Sequence, residues 1–342
     1  MIASALASCL VAAAELAPVP GAPFAAPKAP IRCVLSGVSE PCEVVLLDAS
    51  GAERARALAR PGTLDLAELL PPLRDARMTL RVQAVVRGTP EGAPLLVTPL
   101  IGRPTIRVAT EMRPDGVTPY TRIIGWGDTL LDPSNAEHQR LRAAWAKEDP
   151  APHSGFRVER DRDVLFETTA GRIRFAMRPD AAPNTARNFV DLAAAGFYDG
   201  TIVHRVVPRG RGGKPFVIQG GDPTGTGDGG PGYDIPLEPS TLPHDFGVLS
   251  MARNDWPDSA GSQWFVALTR EETTRLDGQY CAFGQAVEGA EAILAIERGA
   301  LADEKTGRPV EPVRVLRATA VPAPAWTPGK GRPDAPVVRP RE

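Results

Sequence analysis

Apolar residues along this chain fall mostly in short runs bounded by Pro, Gly, Asp and Asn, a spacing that predicts strands more often than helices. Cys42-Glu43-Val44-Val45-Leu46-Leu47 and the run Met78–Val86 are β-prone, and Thr105-Ile106-Arg107-Val108 alternates. Between the first two runs, Glu53–Arg60 is rich in Ala and Arg and reads as a short helix ended by Pro61-Gly62, with a further helical turn over Leu64–Leu70. Asn135–Lys147 has helical spacing, and Pro150–Gly155 reads as a linker. Val164–Met177 divides into two strands at the turn Ala170-Gly171. Pro183 then opens a helix over Thr185–Ala195, with Ala186, Phe189, Val190 and Ala193 on one face, and Gly196 closes it. A second helix is predicted over Ala290–Arg298 and a final strand over Val313–Ala318. Between Gly210 and Gly232 ten of 23 residues are glycine, which argues against a packed helix there.

This order divides the chain into an apolar leader and Pro/Ala-rich spacer over 1–30, a small β-rich domain over 31–132 and a connecting helix and linker over 133–162. A second domain follows over 163–320, and then a Pro-rich tail over 321–342 that is expected to be unfolded. With 342 residues, 43% of them apolar, the chain has material for a core in each domain. Its 39 Lys and Arg against 41 Asp and Glu leave no basic excess to grip a phosphate backbone, so nucleic acid is not an expected partner.

The first 17 residues are apolar up to Glu15, shorter than the ~20 needed to cross a bilayer and without a basic start. Two readings stay open, a signal peptide truncated at its start and a plain tail. Leu6-Ala7-Ser8-Cys9 has the form of a bacterial lipid-attachment box. Export is the reading taken, to the periplasm or to a lipid anchor, with a cytoplasmic protein as the alternative. Cys33 and Cys42 flank the turn-like Ser36–Pro41 and are either a disulfide, in an exported protein, or two reduced core thiols.

Generic chemical motifs fail. Gly225-Thr226-Gly227-Asp228-Gly229-Gly230 lacks the Lys-Ser/Thr ending and following helix of a phosphate cradle, and no Gly-x-Ser-x-Gly elbow occurs. His204 and His244 are too far apart for a zinc helix, and Asp222, Asp228 and Asp234 too sparse for a calcium loop. No metal and no cofactor are expected.

What stands out is a series of segments in fixed order. They are Pro183-Asn184-Thr185-Ala186-Arg187-Asn188-Phe189, Tyr198-Asp199-Gly200-Thr201-Ile202-Val203-His204-Arg205-Val206, and Phe216-Val217-Ile218-Gln219-Gly220-Gly221-Asp222-Pro223. Then come Gly247-Val248-Leu249-Ser250-Met251-Ala252-Arg253, Ser259-Ala260-Gly261-Ser262-Gln263-Trp264-Phe265, and Leu276-Asp277-Gly278-Gln279-Tyr280-Cys281-Ala282-Phe283-Gly284. Over 163–320 the chain resembles the cyclophilin family of peptidyl-prolyl cis-trans isomerases. The resemblance implies a closed eight-stranded antiparallel barrel with two capping helices and a substrate groove on its outer surface. It implies that Arg205 is the catalytic arginine, oriented by Gln219 and Gln263. Phe216, Val217, Phe265, Leu276 and Tyr280 would line the proline pocket, and Ala252 and Arg253 would lie along the substrate backbone.

These residue types suit the chemistry. Rotating an X–Pro bond breaks amide resonance behind a barrier of about 20 kcal/mol, without making or breaking a covalent bond. The twisted prolyl nitrogen regains a lone pair, and a guanidinium, always charged and rigidly planar, is a suitable donor to it. The expected partners are unfolded or proline-containing polypeptides, with a cell-envelope partner for the N-terminal domain, and the expected state is a monomer. The rival reading is a proline-binding scaffold on the same fold.

Three departures from the family pattern bear on specificity. Pro208–Pro215 replaces a very short turn, and its Arg209, Arg211 and Lys214 suggest a preference for acidic substrates. Arg275 stands where the family often has a tryptophan that contributes to cyclosporin binding, so weak sensitivity to that drug is expected. Trp264 stands beside the groove in place of the more usual Phe.

Overall fold

The computed structural model describes residues 13–340, which form two compact units. One comprises residues up to Ile101 with His153–Asp161 and Pro322–Pro333. The other comprises Gly102–Pro152, Arg162–Val321 and the residues from Asp334 onward. The lipid-attachment box and most of the apolar leader lie outside the described residues. Among the described residues no helix is long and apolar enough to cross a membrane.

In the first unit a six-stranded antiparallel sheet runs in the order Phe24–Ala25, His153–Arg160, Thr89–Ile101, Leu80–Val86, Cys42–Leu47, Glu53–Ala59. A three-stranded sheet of Glu15–Pro18, Arg32–Ser36 and Gly62–Asp65 shares its core, with Leu16, Leu35, Val44, Val82, Val97 and Phe156 buried together. Glu53–Ala59, expected to be helical, is an edge strand. Arg54, Arg56 and Leu58 point outward while Ala55, Ala57 and Ala59 turn to the core, a period of two that the small alanines disguised. The spacer, expected to be unfolded, pairs at Phe24–Ala25 with Arg157 and Phe156, and Pro150–Gly155, read as a linker, already contributes the start of that partner strand. Cys33 and Cys42 are free buried thiols, and burial pushes the Cys33 thiol up to about 12. The tail is also ordered here: Trp326 packs with Val45, Leu47 and Val85, beneath the Arg81 guanidinium at 4.1 Å from its ring.

The second unit is built on eight strands: β1 (Arg162–Thr168), β2 (Gly171–Met177), β3 (Arg205–Val207), β4 (Val217–Gly220), β5 (Val248–Met251), β6 (Trp264–Ala267), β7 (Ala282–Glu288) and β8 (Val315–Pro322). They form one antiparallel sheet in the order β3-β4-β6-β5-β7-β2-β1-β8. The expected closed barrel with two capping helices is corrected: the sheet is curled but open, because β3 and β8 end it without pairing. β3 has only three residues. The gap is spanned by loop hydrogen bonds, Val203 N to the Val313 carbonyl at 2.8 Å and Val315 N to the Thr201 carbonyl at 2.9 Å, with one isolated bridge between Ile202 and Arg314. Nor are the helices two caps. Besides α1 (Pro183–Ala194) and α2 (Ala290–Glu297), short helical segments occur at Ala136–Ala143 and Arg270–Thr273. α1 begins at Pro183, whose missing N–H costs nothing in the first turn, and buries Ala186, Phe189, Val190 and Ala193. Phe189 meets Phe283 and Tyr198 at ring distances of 5.1 and 4.9 Å in the concave core.

Candidate functional site

Strand alternation decides which residues reach the outer face of the sheet. On β4, Ile218 joins the core while Val217 and Gln219 face out; on β6, Trp264 and Val266 face in while Phe265 faces out. Trp264, expected beside the groove, is therefore a core residue packed on Phe166 at 5.6 Å. Arg205 sits directly opposite Gln219 in the β3–β4 register, and Gln219 opposite Phe265.

These positions carry a chain of hydrogen bonds. Arg205 Nη1 donates to Gln219 Oε1 at 3.1 Å, and Gln219 Nε2 donates to Gln263 Oε1 at 3.1 Å. Gln263 Nε2 donates in turn to the carbonyls of Gly227 and Gly229, at 2.8 and 2.9 Å. The glycine-rich loop is thus part of the site. Its own shape is set by buried Asp222, which accepts from Thr224 N at 2.7 Å, Thr224 Oγ1 at 2.8 Å and Gly227 N at 2.6 Å. Burial alone would raise the Asp222 pKa, but these hydrogen bonds outweigh it and hold the carboxyl at about 2.

Arg205 is half-buried, and burial lowers its pKa from the ordinary arginine value; it remains a cation at neutral pH. Among the described residues no carboxylate lies within ion-pair distance of it. Beside it is an apolar hollow in which Val217, Phe265 and Leu276 are buried and Val207, Phe216, Ala252 and Tyr280 half-buried. Phe265 and Tyr280 meet edge to face at 5.6 Å. Arg253 lies over the Tyr280 ring at 4.7 Å and donates through Nε and Nη2 to the Gln279 carbonyl. The Ala252 N–H is held by the Gln263 carbonyl at 2.9 Å. Of the ten residues singled out in the sequence, Arg205, Gln219 and Gln263 are joined by hydrogen bonds, six share the apolar cluster and Arg253 lies over Tyr280.

Sequence reasoning missed what supports Phe265 from below. The His244 ring stacks on it at 5.7 Å, with Nδ1 on Asp277 Oδ1 at 2.9 Å and Nε2 on Ser250 Oγ at 3.0 Å. Burial acts to raise the Asp277 pKa, but bonds from His244 and Arg270 hold that carboxyl well below the usual range. The signal was thin, since a buried histidine six residues before a strand serine has no motif. Of the basic loop residues, Lys214 is committed to Glu271 at 2.6 Å, whereas Arg211 stands near Arg275, whose guanidinium covers Phe216 at 4.2 Å.

A guanidinium held by a neutral amide rather than a carboxylate, beside an apolar hollow, suits a reaction that develops a lone pair and no net charge. Comparisons with known proteins bear on the family. Residues 164–320 match the family model of cyclophilin type peptidyl-prolyl cis-trans isomerases. The peptidyl-prolyl cis-trans isomerase ppi1 of Schizosaccharomyces pombe is 37% identical over 164 residues, covering 46% of this chain and 99% of that protein. A peptidyl-prolyl cis-trans isomerase of Synechococcus elongatus is 46% identical over 122 residues, 36% of this chain and 78% of its own length. Peptidyl-prolyl cis-trans isomerase-like 1 of Mus musculus is 38% identical over 161 residues, 46% of this chain and 90% of its own length.

Proposed function

This chain belongs to the cyclophilin-type peptidyl-prolyl cis-trans isomerase family and is an X–Pro isomerase that binds polypeptide; we propose that it turns the bond through Arg205 acting on the prolyl nitrogen. The proline ring seats among Phe216, Val217, Phe265, Leu276 and Tyr280, which hold it fixed while the acyl side rotates. As resonance is lost the nitrogen becomes pyramidal, and an Arg205 N–H bonds it more strongly in the twisted state than in either planar one. That difference in binding is what lowers the barrier. Gln219 fixes the guanidinium plane, and Gln263 anchors Gln219 to the glycine-rich loop. No group is required to exchange a proton or to form a covalent bond.

One hydrogen bond from a charged donor is worth roughly 1.5–3 kcal/mol, and about 1.4 kcal/mol is tenfold in rate, so Arg205 supplies about one to two decades. The substrates we propose are extended or unfolded chains, because an outer-face groove accepts a segment with no surrounding structure. The observation that carries this reading is the half-buried Arg205 beside the hollow, bonded to a neutral amide and to no carboxylate. A protease-coupled proline-peptide assay on wild type and Arg205→Ala tests it: a loss of one to two decades in kcat/KM supports the role, and equal rates remove it.

A further inference from the structure

Two strands that precede the family region, Ile106–Met112 and Pro119–Trp126, pair as a hairpin and belong to the same compact unit as the isomerase sheet. Gln279 holds the hairpin by both polar groups of one residue. Its Oε1 accepts from Ile123 N at 2.9 Å, and its Nε2 donates to the Ile123 carbonyl at 2.7 Å. Because Gln279 adjoins Tyr280, the hairpin is fixed next to the proline hollow. Together they enclose a recess of about 230 Å³ that Leu276 and Tyr280 share with that hollow.

Five arginines line this recess: Arg113 and Arg122 from the hairpin, Arg211 from the loop after β3, and Arg253 and Arg275 from the groove rim. Two carboxylates form ion pairs with them, and Glu272 acts on Arg275 from further off. Asp255 lies 3.3 Å from Arg113 and is largely exposed, and Glu111 lies 3.3 Å from Arg122 while also accepting the Tyr120 hydroxyl at 2.7 Å. Arg253 donates to backbone carbonyls, Arg275 rests on Phe216, and Arg211 and Arg275 make no ion pair among the described residues. Burial, and then the nearby Arg211 cation, lower the Arg275 pKa, while Tyr280 and Glu272 act the other way. A neighbouring recess of about 530 Å³ along Gln219 and Gln263 shares Arg253 and carries Asp228 and Asp234. Guanidiniums therefore predominate in the recess beside Tyr280, and carboxylates in the one along Gln263.

We propose that the arginine recess is a subsite for a carboxylate side chain of the polypeptide substrate, so that this isomerase selects X–Pro segments bearing Asp or Glu on one flank of the proline. An acidic side chain there would pair with guanidiniums that the fold holds together. Arg113 and Arg122 come from outside the family region, so the selectivity is a property of this chain's added hairpin. The inference rests on the groove being the isomerase site.

The test is a set of proline peptides with Glu, Ala or Lys at each position within two residues on either side of proline. Each is assayed for kcat/KM and, as a fluorescent conjugate, for Kd, in low salt and in 0.5 M salt, an ionic strength chosen at roughly half the point where the Debye length reaches 3 Å. Wild type is expected to favour Glu over Lys by about fivefold or more on one flank only, and high salt to shrink the preference. The exposed double charge reversal Arg113→Glu with Arg211→Glu is expected to abolish or invert that preference while the Ala peptide is turned over within about twofold of wild type. No preference in wild type, or one unchanged by the reversal, overturns the subsite. Turnover of the Ala peptide without selectivity defeats this inference alone. Selective binding without turnover of any peptide upholds it and defeats the isomerase assignment of the groove.

Discussion

Arg205 and Gln219 occupy directly opposed positions on β3 and β4, and the guanidinium of one donates to the amide oxygen of the other at 3.1 Å. That bond uses one of five N–H donors and leaves the others free to turn toward a ligand. An arginine steadied by a neutral partner keeps its full charge for the substrate, which a carboxylate partner would cancel.

From this pairing, Arg205→Lys is expected to lose most of what Arg205→Ala loses. An ammonium on a flexible stem neither bonds Gln219 in the same plane nor presents a fixed second donor. Steady-state kcat/KM for both variants checks this, with far-ultraviolet circular dichroism to show that the fold is retained. Full activity in the lysine variant would mean that charge alone suffices.

Gln263→Leu removes the bond to Gln219 and leaves the Gly227 and Gly229 carbonyls without their side-chain donor. Each neutral hydrogen bond is worth roughly 0.5–1.5 kcal/mol, so kcat/KM should fall up to about tenfold. Amide exchange between Thr224 and Gly230 should accelerate in parallel. Unchanged exchange would show that Asp222 holds the loop without help.

Asp222 makes stability depend on acid. Its carboxyl is held at about 2 in the folded chain against an ordinary value of 3.8. A depressed folded value means that its contribution is present above the unfolded pKa and is lost as pH falls through about 2. The thermal midpoint of wild type should drop across that window, and Asp222→Asn should start lower at neutral pH and fall less steeply below pH ~4. Parallel curves for the two proteins would assign the acid sensitivity elsewhere.

Gly307 has φ +77°, and its carbonyl accepts from Val206 N at 2.8 Å on the otherwise open side of β3. A Cβ at this position would run into the Val206 carbonyl oxygen. Gly307→Ala is expected to cost at least ~1–2 kcal/mol in denaturant unfolding, from the left-handed backbone alone. It should also lower kcat/KM, because Arg205 is the adjacent residue of the strand. A variant with native stability and activity would show that the loop yields without moving β3.

Arg275 covers Phe216 in the place where the resemblance to cyclophilins expects an indole. Fluorescence titration with cyclosporin should give weak binding, and Arg275→Trp should tighten it. Tight binding to wild type would contradict the expectation.

The strands β1 and β2 and the helices α1 and α2 were legible because each is marked locally, by alternation or by Pro and Gly boundaries, and the family segments singled out residues that the structure brings together. Closure of the sheet was not legible. Whether β3 meets β8 depends on how few residues β3 commits to the ladder, which no local pattern states. The strand Glu53–Ala59 was hidden because alanine serves both periods. The hairpin from Ile106 to Trp126 read as strands, but its attachment beside Tyr280 rests on Gln279 reaching Ile123, 156 residues away in the chain. The same distance hides the support of Phe265 by His244, whose partner Asp277 is 33 residues further on.

The route of the backbone between the two units has a consequence for how the molecule is made. The chain passes from one unit to the other five times, and the first unit takes a strand from His153–Arg160 and a buried Trp326. During synthesis its six-stranded sheet stays incomplete until residue 160 has left the ribosome, with the Thr89–Ile101 edge bare until then. The hydrophobic seat formed by Val45, Leu47 and Val85 is filled only once residue 326 has emerged. Completion of the first unit thus waits on residues drawn from three separate stretches of the chain.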